Sequence, residues 1–123
     1  MSNPFRAKKQ AEENKPTRYY SNRQETAVAK AVGGKKQANS GANMWQKGDV
    51  VNDKFLLECK TCTKDQKTFT MHEDWFLKNQ DESLQEGKEF TAVVFSFGPN
   101  KPNYYVINET LFNTLQQYLN EEE

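Results

Sequence analysis

The sequence has little of what membrane, secreted and zinc-binding proteins need. Its 123 residues include two cysteines, one histidine and 35% hydrophobic residues, with a mean hydropathy of −1.01. No stretch approaches the ~18–20 consecutive apolar residues that span a bilayer, and the N-terminus lacks the apolar centre of a secretory signal. We therefore expect an intracellular protein with no membrane partner, in which the cysteines stay reduced.

Positive and negative charges are concentrated in different parts of the chain. Residues 1–36 hold nine Lys/Arg against three Asp/Glu, a net charge of +6, whereas residues 37–123 hold eight Lys against fourteen Asp/Glu, a net charge of −6. A basic segment suits a polyanion such as DNA, although on charge alone a solubilising tail explains it equally well. The candidate contacts to DNA phosphates are Arg6, Lys8, Lys9, Arg18, Arg23, Lys35, Lys36, Lys64 and Lys67.

Apolar residues are sparse at the start of the chain and clustered later. Residues 1–20 mix charges with two prolines and show no periodicity, which predicts a disordered, flexible basic arm. Apolar residues cluster over 50–59, 90–97 and 104–119. The length suits one domain with one modest core, which we assign to residues 21–123.

Hydrophobic periodicity and capping residues predict an α/β fold with a central mixed β-sheet flanked by helices. In the helix predicted after residue 70, Thr70 and Glu73 have capping-box spacing, and Met71, Trp75, Phe76 and Leu84 are expected to face the sheet. The predicted elements are a helix over 22–32, a loop with a short strand over 35–47, strands over 49–51 and 54–61, a helix over 71–85, strands over 90–97 and 104–107, and an amphipathic helix over 108–120.

Charged residues interrupt the apolar strands in the middle of the chain. Because alternate strand residues share a face, Glu58 and Lys60 point the same way, and a hairpin brings Asp49 beside Glu58. Two neighbouring carboxylates repel unless a proton or a cation separates them, and Mg²⁺ favours one or two carboxylates with water and phosphate oxygens. With Lys60 to hold water or stabilise phosphate charge, the pattern suits phosphodiester hydrolysis. The alternative is a solvated edge strand with a weak Glu58–Lys60 ion pair.

An ordered series of short motifs resembles the PD-(D/E)XK nuclease superfamily. The series is Glu25 on the first helix, Ser40 in a loop, Gly48-Asp49-Val50, and Glu58-Cys59-Lys60. Within that superfamily it is most similar to archaeal-type Holliday-junction resolvases and their phage-encoded relatives. The resemblance covers residues 22–108, and Gly48 stands where the superfamily's name has proline.

The resemblance implies a restriction-endonuclease-like core and a Mg²⁺-dependent endonuclease, with Mn²⁺ as a substitute metal. Asp49, Glu58 and the backbone carbonyl of Cys59 are then the metal ligands, and Lys60 orients water. Glu25 holds a second metal directly or through water. Ser40 lies near the scissile phosphate.

The same resemblance implies a homodimer that resolves branched DNA by cutting two opposed strands of a four-way junction. It also implies the cytoplasm of a bacterial or archaeal host, with a virus-encoded origin as one option. Two alternatives remain open: a restriction-type or repair-type nuclease of the same superfamily, and a non-catalytic nucleic-acid-binding module with a nuclease-like fold.

Two further motifs suggest other chemistry. Cys59 and Cys62 form a C-x-x-C pair that binds zinc or cycles as a dithiol in other proteins, but a structural zinc site needs two more ligands. His72, the only histidine, is a candidate general base or phosphate contact, or a solvated residue at a helix start.

Overall fold

The computed structural model describes residues 16–37 and 49–121, which form an α/β fold with a five-stranded mixed sheet flanked by helices. This confirms the predicted fold class. None of the helices among these residues is long and apolar enough to cross a membrane. The elements are α1 (Thr17–Val32), β1 (Lys35–Lys36), β2 (Val50–Val51), β3 (Phe55–Lys60), α2 (Glu73–Gln85), β4 (Phe90–Ser96), β5 (Asn103–Val106) and α3 (Glu109–Glu121).

The strands lie in the order β1-β2-β3-β4-β5, so each is paired with its sequence neighbours. β3 and β4 are parallel and all other pairs are antiparallel. Parallel neighbours need a crossover connection, and α2 provides it. Between β2 and β3, the Asn52 side chain accepts hydrogen bonds from the backbone N–H groups of Lys54 (3.1 Å) and Phe55 (2.8 Å), which stabilise the turn of the hairpin.

The core lies on both faces of β3 and β4. Val28 of α1 packs with Val50 and Leu57 on one face. Leu56 and Val93 are fully buried on the other face, where α2 crosses the two strands. β4 is therefore covered on both sides, as its continuous apolar sequence predicts.

α1 begins at Thr17, five residues earlier than predicted, so the segment predicted as a flexible arm over 1–20 overlaps the helix. Pro16 is the N-cap, and Tyr20 is buried with 8% exposure. The ring of Tyr20 meets the ring of Tyr19 edge to face, with centroids 5.2 Å apart. Burial of the Tyr20 side chain holds the start of the helix against the domain.

α2 also differs from its prediction. It begins at Glu73 with His72 as N-cap and no side-chain cap hydrogen bond, so the predicted Thr70–Glu73 capping box is wrong. Leu84 is 78% exposed, whereas Asn79 and Ser83 are buried against the sheet. Asn79 Nδ2 donates to the carbonyl of Ala92 (3.2 Å), so a polar anchor occupies the inward face where an apolar residue was expected.

α3 begins where predicted, and most of its apolar stripe is exposed. Asn108 Oδ1 accepts a hydrogen bond from the backbone N–H of Leu111 (2.8 Å), which caps the helix. Leu111 is buried, but the rest of the apolar stripe is exposed: Phe112, Leu115, Tyr118 and Leu119.

Candidate metal and phosphate site

Asp49 is a buried carboxylate held at the start of β2, with 7% exposure. Its Oδ2 accepts a hydrogen bond from the backbone N–H of Cys59 at 2.7 Å. Its own N–H donates to the carbonyl of Leu57 (3.0 Å), although Leu57 already pairs with Val50. Asp49 and Val50 therefore both lie opposite Leu57. Two consecutive residues of one strand opposite a single residue of the partner strand form a β-bulge, which changes the direction of a side chain. The bulge turns the Asp49 carboxylate towards β3.

Glu58 and Lys60 share one face of β3, as the strand alternation predicts. Lys60 Nζ lies 3.6 Å from Glu58 Oε1, and the two side chains are 27% and 24% exposed. Lys60 Nζ also lies 4.3 Å from the centroid of the Trp75 ring of α2, a cation–π contact. β3 is the central strand of the sheet. The alternative of a solvated edge strand is therefore wrong.

Glu25 reaches the site from α1, on the other side of the sheet. It lies one helical turn before Ala29, which is part of the buried cluster under α1, and its side chain forms a hydrogen bond with Asp49. Glu25 and Asp49 are therefore in contact, and the Asp49 charge also acts on Glu58 across the β2–β3 hairpin.

Crowding of these carboxylates raises two pKa values to the neutral range. Burial, and then the nearby Asp49 charge, raise the pKa of Glu58 from 4.5 to about 7, although Lys60 opposes the shift. Burial, followed by the Asp49 charge and hydrogen bond, raises the pKa of Glu25 to about 7, with Lys36 and Arg18 opposing. Each of these carboxyls thus holds its proton to a higher pH than a free glutamate does, and a bound cation would take the place of those protons.

The donor set fits a hard divalent cation. Carboxylate and carbonyl oxygens are the ligands that Mg²⁺ takes, and it retains several waters, so two carboxylates suffice. No group of three His, Cys, Asp or Glu residues arranged to hold a metal ion occurs among residues 16–37 and 49–121. The fit therefore depends on Asp49 and Glu58, with the carbonyl of Cys59 as the predicted backbone ligand.

The pair Cys59 and Cys62 is unsuited to the zinc binding or dithiol chemistry that the C-x-x-C motif suggests. Burial, and then the charges of Asp49, Glu25 and Glu58, raise the pKa of the Cys59 thiol, so it stays protonated and is a poor nucleophile. Cys62 is buried and its thiol donates to the carbonyl of Lys64 (2.8 Å). In the described part of the chain these cysteines have no companion ligands that complete a zinc site.

The predicted phosphate contacts are distributed around this site. Lys36 donates to Thr26 Oγ1 (3.3 Å) and, with Arg18, lies near enough to Glu25 to oppose its pKa shift. Arg23 lies on α1 near the turn between β4 and β5, where it donates to Asn100 Oδ1 (3.2 Å). The other described candidates are exposed: Lys35, Lys64 and Lys67. Arg6, Lys8, Lys9, Ser40 and Gly48 lie outside the described residues.

His72 is exposed and contacts Trp75, with ring centroids 4.8 Å apart. Lys60 contacts the same Trp75 ring, and the His72 side chain is exposed to solvent. This arrangement favours the interpretation of His72 as a solvated residue at a helix start.

Gln24 is a positioning residue that sequence reasoning missed. Its Nε2 donates to the carbonyl of Lys60 (3.1 Å) and to Asn103 Oδ1 (3.4 Å), and its Oε1 accepts from Thr61 Oγ1 (3.3 Å). Gln24 thus joins α1, which carries Glu25, to the end of the strand that carries Lys60. Its position next to Glu25 is the only signal in the sequence, because all of its partners are distant along the chain.

No family model, curated protein or solved structure matches this chain. Function is therefore inferred from the convergence of Glu25, Asp49, Glu58 and Lys60 at one end of β2 and β3.

Proposed function

We propose that this protein is a Mg²⁺-dependent endonuclease that hydrolyses phosphodiester bonds in DNA, with branched DNA such as a four-way junction as its substrate. The observation that carries the proposal is the meeting of Asp49, Glu58 and Lys60 beside Glu25. Two acidic groups with pKa values near 7 and an adjacent ammonium make a site for a cation and a phosphate rather than a structural ion pair.

Asp49 and Glu58, with the carbonyl of Cys59, would hold the metal. When bound, Mg²⁺ lowers the pKa of its water and stabilises negative charge on the phosphate. The backbone N–H of Cys59 fixes the Asp49 carboxylate. Lys60, held between Glu58 and the Trp75 ring, places a positive charge where the phosphate gains negative charge.

Glu25 contributes from α1 in two ways. Its hydrogen bond restrains the Asp49 carboxylate, and its pKa near 7 allows it to accept a proton from water at neutral pH. A role in holding a second metal, which the resemblance implies, is part of the same proposal.

The order of the elements supports the resemblance. The helix carrying Glu25 is followed by β1, β2 with Asp49 at its start, β3 with Glu58 and Lys60, the crossover helix α2 and the parallel strand β4. This order is the one in which the resemblance places its motifs.

Cleavage of a panel of DNA structures tests the reaction class and the substrate. With Mg²⁺, we expect the wild-type protein to cut a four-way junction faster than a flap, a linear duplex or a single strand. Lys60→Ala is expected to slow cleavage by about 10²–10³-fold, the usual cost of removing one group that stabilises transition-state charge. Lys54→Ala, an exposed lysine at the other end of β3, is the matched control.

The panel also separates the alternatives. Binding of all four DNAs without cleavage of any would support the non-catalytic nucleic-acid-binding module. Preferential cutting of linear duplex would support a restriction-type or repair-type nuclease.

The proposal includes a homodimer, because cutting two opposed strands requires two sites. Only Leu111 of the 13-residue helix α3 is buried, and helices of this length are marginal unless their apolar face is covered. We expect a second copy of the chain to cover the exposed stripe that contains Leu115 (43% exposed).

Leu115→Glu is expected to shift the protein from dimer to monomer in sedimentation velocity at micromolar concentration. Gln116→Glu, which adds the same charge at the next position of α3, is expected to remain dimeric. A wild-type protein that sediments as a monomer would contradict the dimer.

A further inference from the structure

A small cavity lies past the carboxyl ends of β3 and β4, beside the N-terminal half of α1. Its volume is about 120 Å³. Its polar lining comes from α1, from the residue after β3, from the end of β4 and from the turn before β5: Arg23, Gln24, Thr61, Ser96, Lys101 and Asn103.

The charge of the lining favours an anion. Arg23 and Lys101 contribute positive charge, and no Asp or Glu of the described residues lines the cavity. Arg23 uses one guanidinium nitrogen to donate to Asn100 Oδ1 (3.2 Å), and other donors of its five N–H groups remain for a ligand. Among residues 16–37 and 49–121, no salt bridge to a carboxylate neutralises either cation.

Backbone and side-chain contacts hold the walls in place. Ser96 Oγ donates to the carbonyl of Gly98 (2.9 Å), and the N–H of Gln66 donates to the carbonyl of Phe97 (2.8 Å). A Cβ at Gly98 would lie 3.2 Å from the Cα of Asp65 and would also meet the Asp65 carboxyl, so Gly98 and Asp65 are in close contact. The turn that carries Lys101 is therefore fixed against the segment that follows β3.

The cavity adjoins the candidate metal site through α1. Gln24 lines the cavity and donates to the carbonyl of Lys60 (3.1 Å), and the next residue along the helix is Glu25. The cavity thus lies on the α1 side of the carboxyl end of β3, whereas the Lys60 side chain lies on the α2 side, so a polyanion that contacts both must pass across this end of the sheet.

We propose that this cavity is a second phosphate subsite, which binds a backbone phosphate adjacent to the scissile phosphodiester of the DNA strand. This inference rests on the proposed function and deepens it. Arg23 and Lys101 supply charge, and Thr61 and Asn103 supply hydrogen bonds. Such a contact fixes where the strand lies without reading its sequence.

The test measures DNA affinity separately from catalysis. Binding of a fluorescent four-way junction is followed by anisotropy between about 50 and 200 mM salt, with no divalent metal, for wild type and Arg23→Ala/Lys101→Ala. The double variant is expected to bind about 10-fold more weakly or worse, with a log–log salt slope smaller by about 2, because two phosphate contacts are lost. Arg23→Lys should recover part of the affinity, and Lys54→Ala should bind as wild type.

A second measurement identifies the ligand group. Inorganic phosphate at millimolar concentration is expected to shift the amide resonances of Thr61 and Asn103 in ¹⁵N-labelled wild type, and to leave them unchanged in the double variant. Phosphate shifts without any difference in DNA affinity between wild type and variant would overturn the subsite, since the cavity would then bind only free phosphate.

Failure of the subsite and failure of the proposed function give different results. Equal DNA affinity and equal salt slopes in wild type and double variant overturn the subsite, even if the wild type cleaves DNA. Loss of affinity in the double variant supports the subsite even if neither protein binds Mg²⁺ or cleaves, a result that would contradict the nuclease instead.

Discussion

Asp49→Asn is expected to abolish DNA cleavage while leaving the fold and DNA binding intact. The Asp49 charge raises the pKa values of both Glu25 and Glu58. An amide at this position supplies no charge to a cation. We expect the cleavage rate of a four-way junction with Mg²⁺ to fall by about 10²–10³-fold or more, at least the cost of removing one electrostatic contact to the transition state.

The substitution is chosen because asparagine keeps the shape and one acceptor oxygen of aspartate. That oxygen can still accept the hydrogen bond from the N–H of Cys59, so the bulge at the start of β2 should persist. Loss of a buried charge also removes repulsion from the site. Thermal unfolding should therefore show a variant at least as stable as wild type at pH 8, where the carboxyls are ionised.

Asp53→Asn provides the matched control, because Asp53 is exposed in the turn between β2 and β3. It should cleave as wild type, whereas Glu58→Gln should fail as Asp49→Asn does. Nicking of the junction by Asp49→Asn at the wild-type rate would contradict the proposed mechanism, and loss of both binding and folding would show instead that Asp49 is structural.

Local patterns were sufficient to predict the strand carrying the site. Period-two alternation puts Glu58 and Lys60 on one face of β3, and the two-residue turn after Val51 brings Asp49 close to Glu58. These features depend on neighbours along the chain or across one hairpin. The sequence therefore contains enough information to group three of the four central side chains.

The bulge at Asp49 and the contacts between residues far apart in sequence could not be predicted from such local patterns. The bulge at Asp49 arises from a side chain that accepts a backbone hydrogen bond ten residues away, a contact without a sequence signature. Gln24 has partners at Lys60 and Asn103, which only the folded sheet brings near α1. Lys101 joins Arg23 at the cavity for the same reason.

One helix prediction was wrong because it relied on apolar residues as the main signal. α2 places Asn79 on its buried face, and its amide compensates for burial by donating to the carbonyl of Ala92. Leu84 is on the exposed side, although Trp75 faces the sheet as predicted and contacts Lys60 of β3. A buried polar residue cannot be distinguished from a surface residue by hydropathy alone, so Leu84 was placed on the inward face and Asn79 was missed.

Binding of Mg²⁺ should depend steeply on pH between about 5 and 7, because metal and protons compete for the same carboxyls. The pKa values of Glu25 and Glu58 are raised from 4.5 to about 7 in the folded protein. Folded protein therefore holds more protons than unfolded protein in this window. The stability contributed by these carboxyls is complete below pH 4.5 and is lost as the pH rises through 7.

Mg²⁺ reverses this loss, since it binds the ionised carboxylates and displaces their protons. Below pH 7 we expect the apparent affinity to rise about 10-fold per pH unit for each proton displaced, and to level off above pH 7. The increase in melting temperature caused by Mg²⁺ should accordingly be small at pH 5.5 and large at pH 8, because ligand stabilisation grows with the ratio of metal concentration to Kd.

Differential scanning fluorimetry with and without Mg²⁺ across pH 5–8 measures this linkage, and isothermal titration calorimetry in two buffers of different ionisation enthalpy counts the protons released. Glu58→Gln removes one of the two titrating groups, so it should both weaken binding and reduce the number of protons released by one. Asp53→Asn should leave the pH dependence unchanged.

A Mg²⁺ effect that is equal at pH 5.5 and pH 8 would show that Glu25 and Glu58 are not at the metal, and would remove the physical basis of the site. The linkage also predicts that cleavage rises with pH to a plateau above neutrality, because the same two protons must leave before the cation can bind.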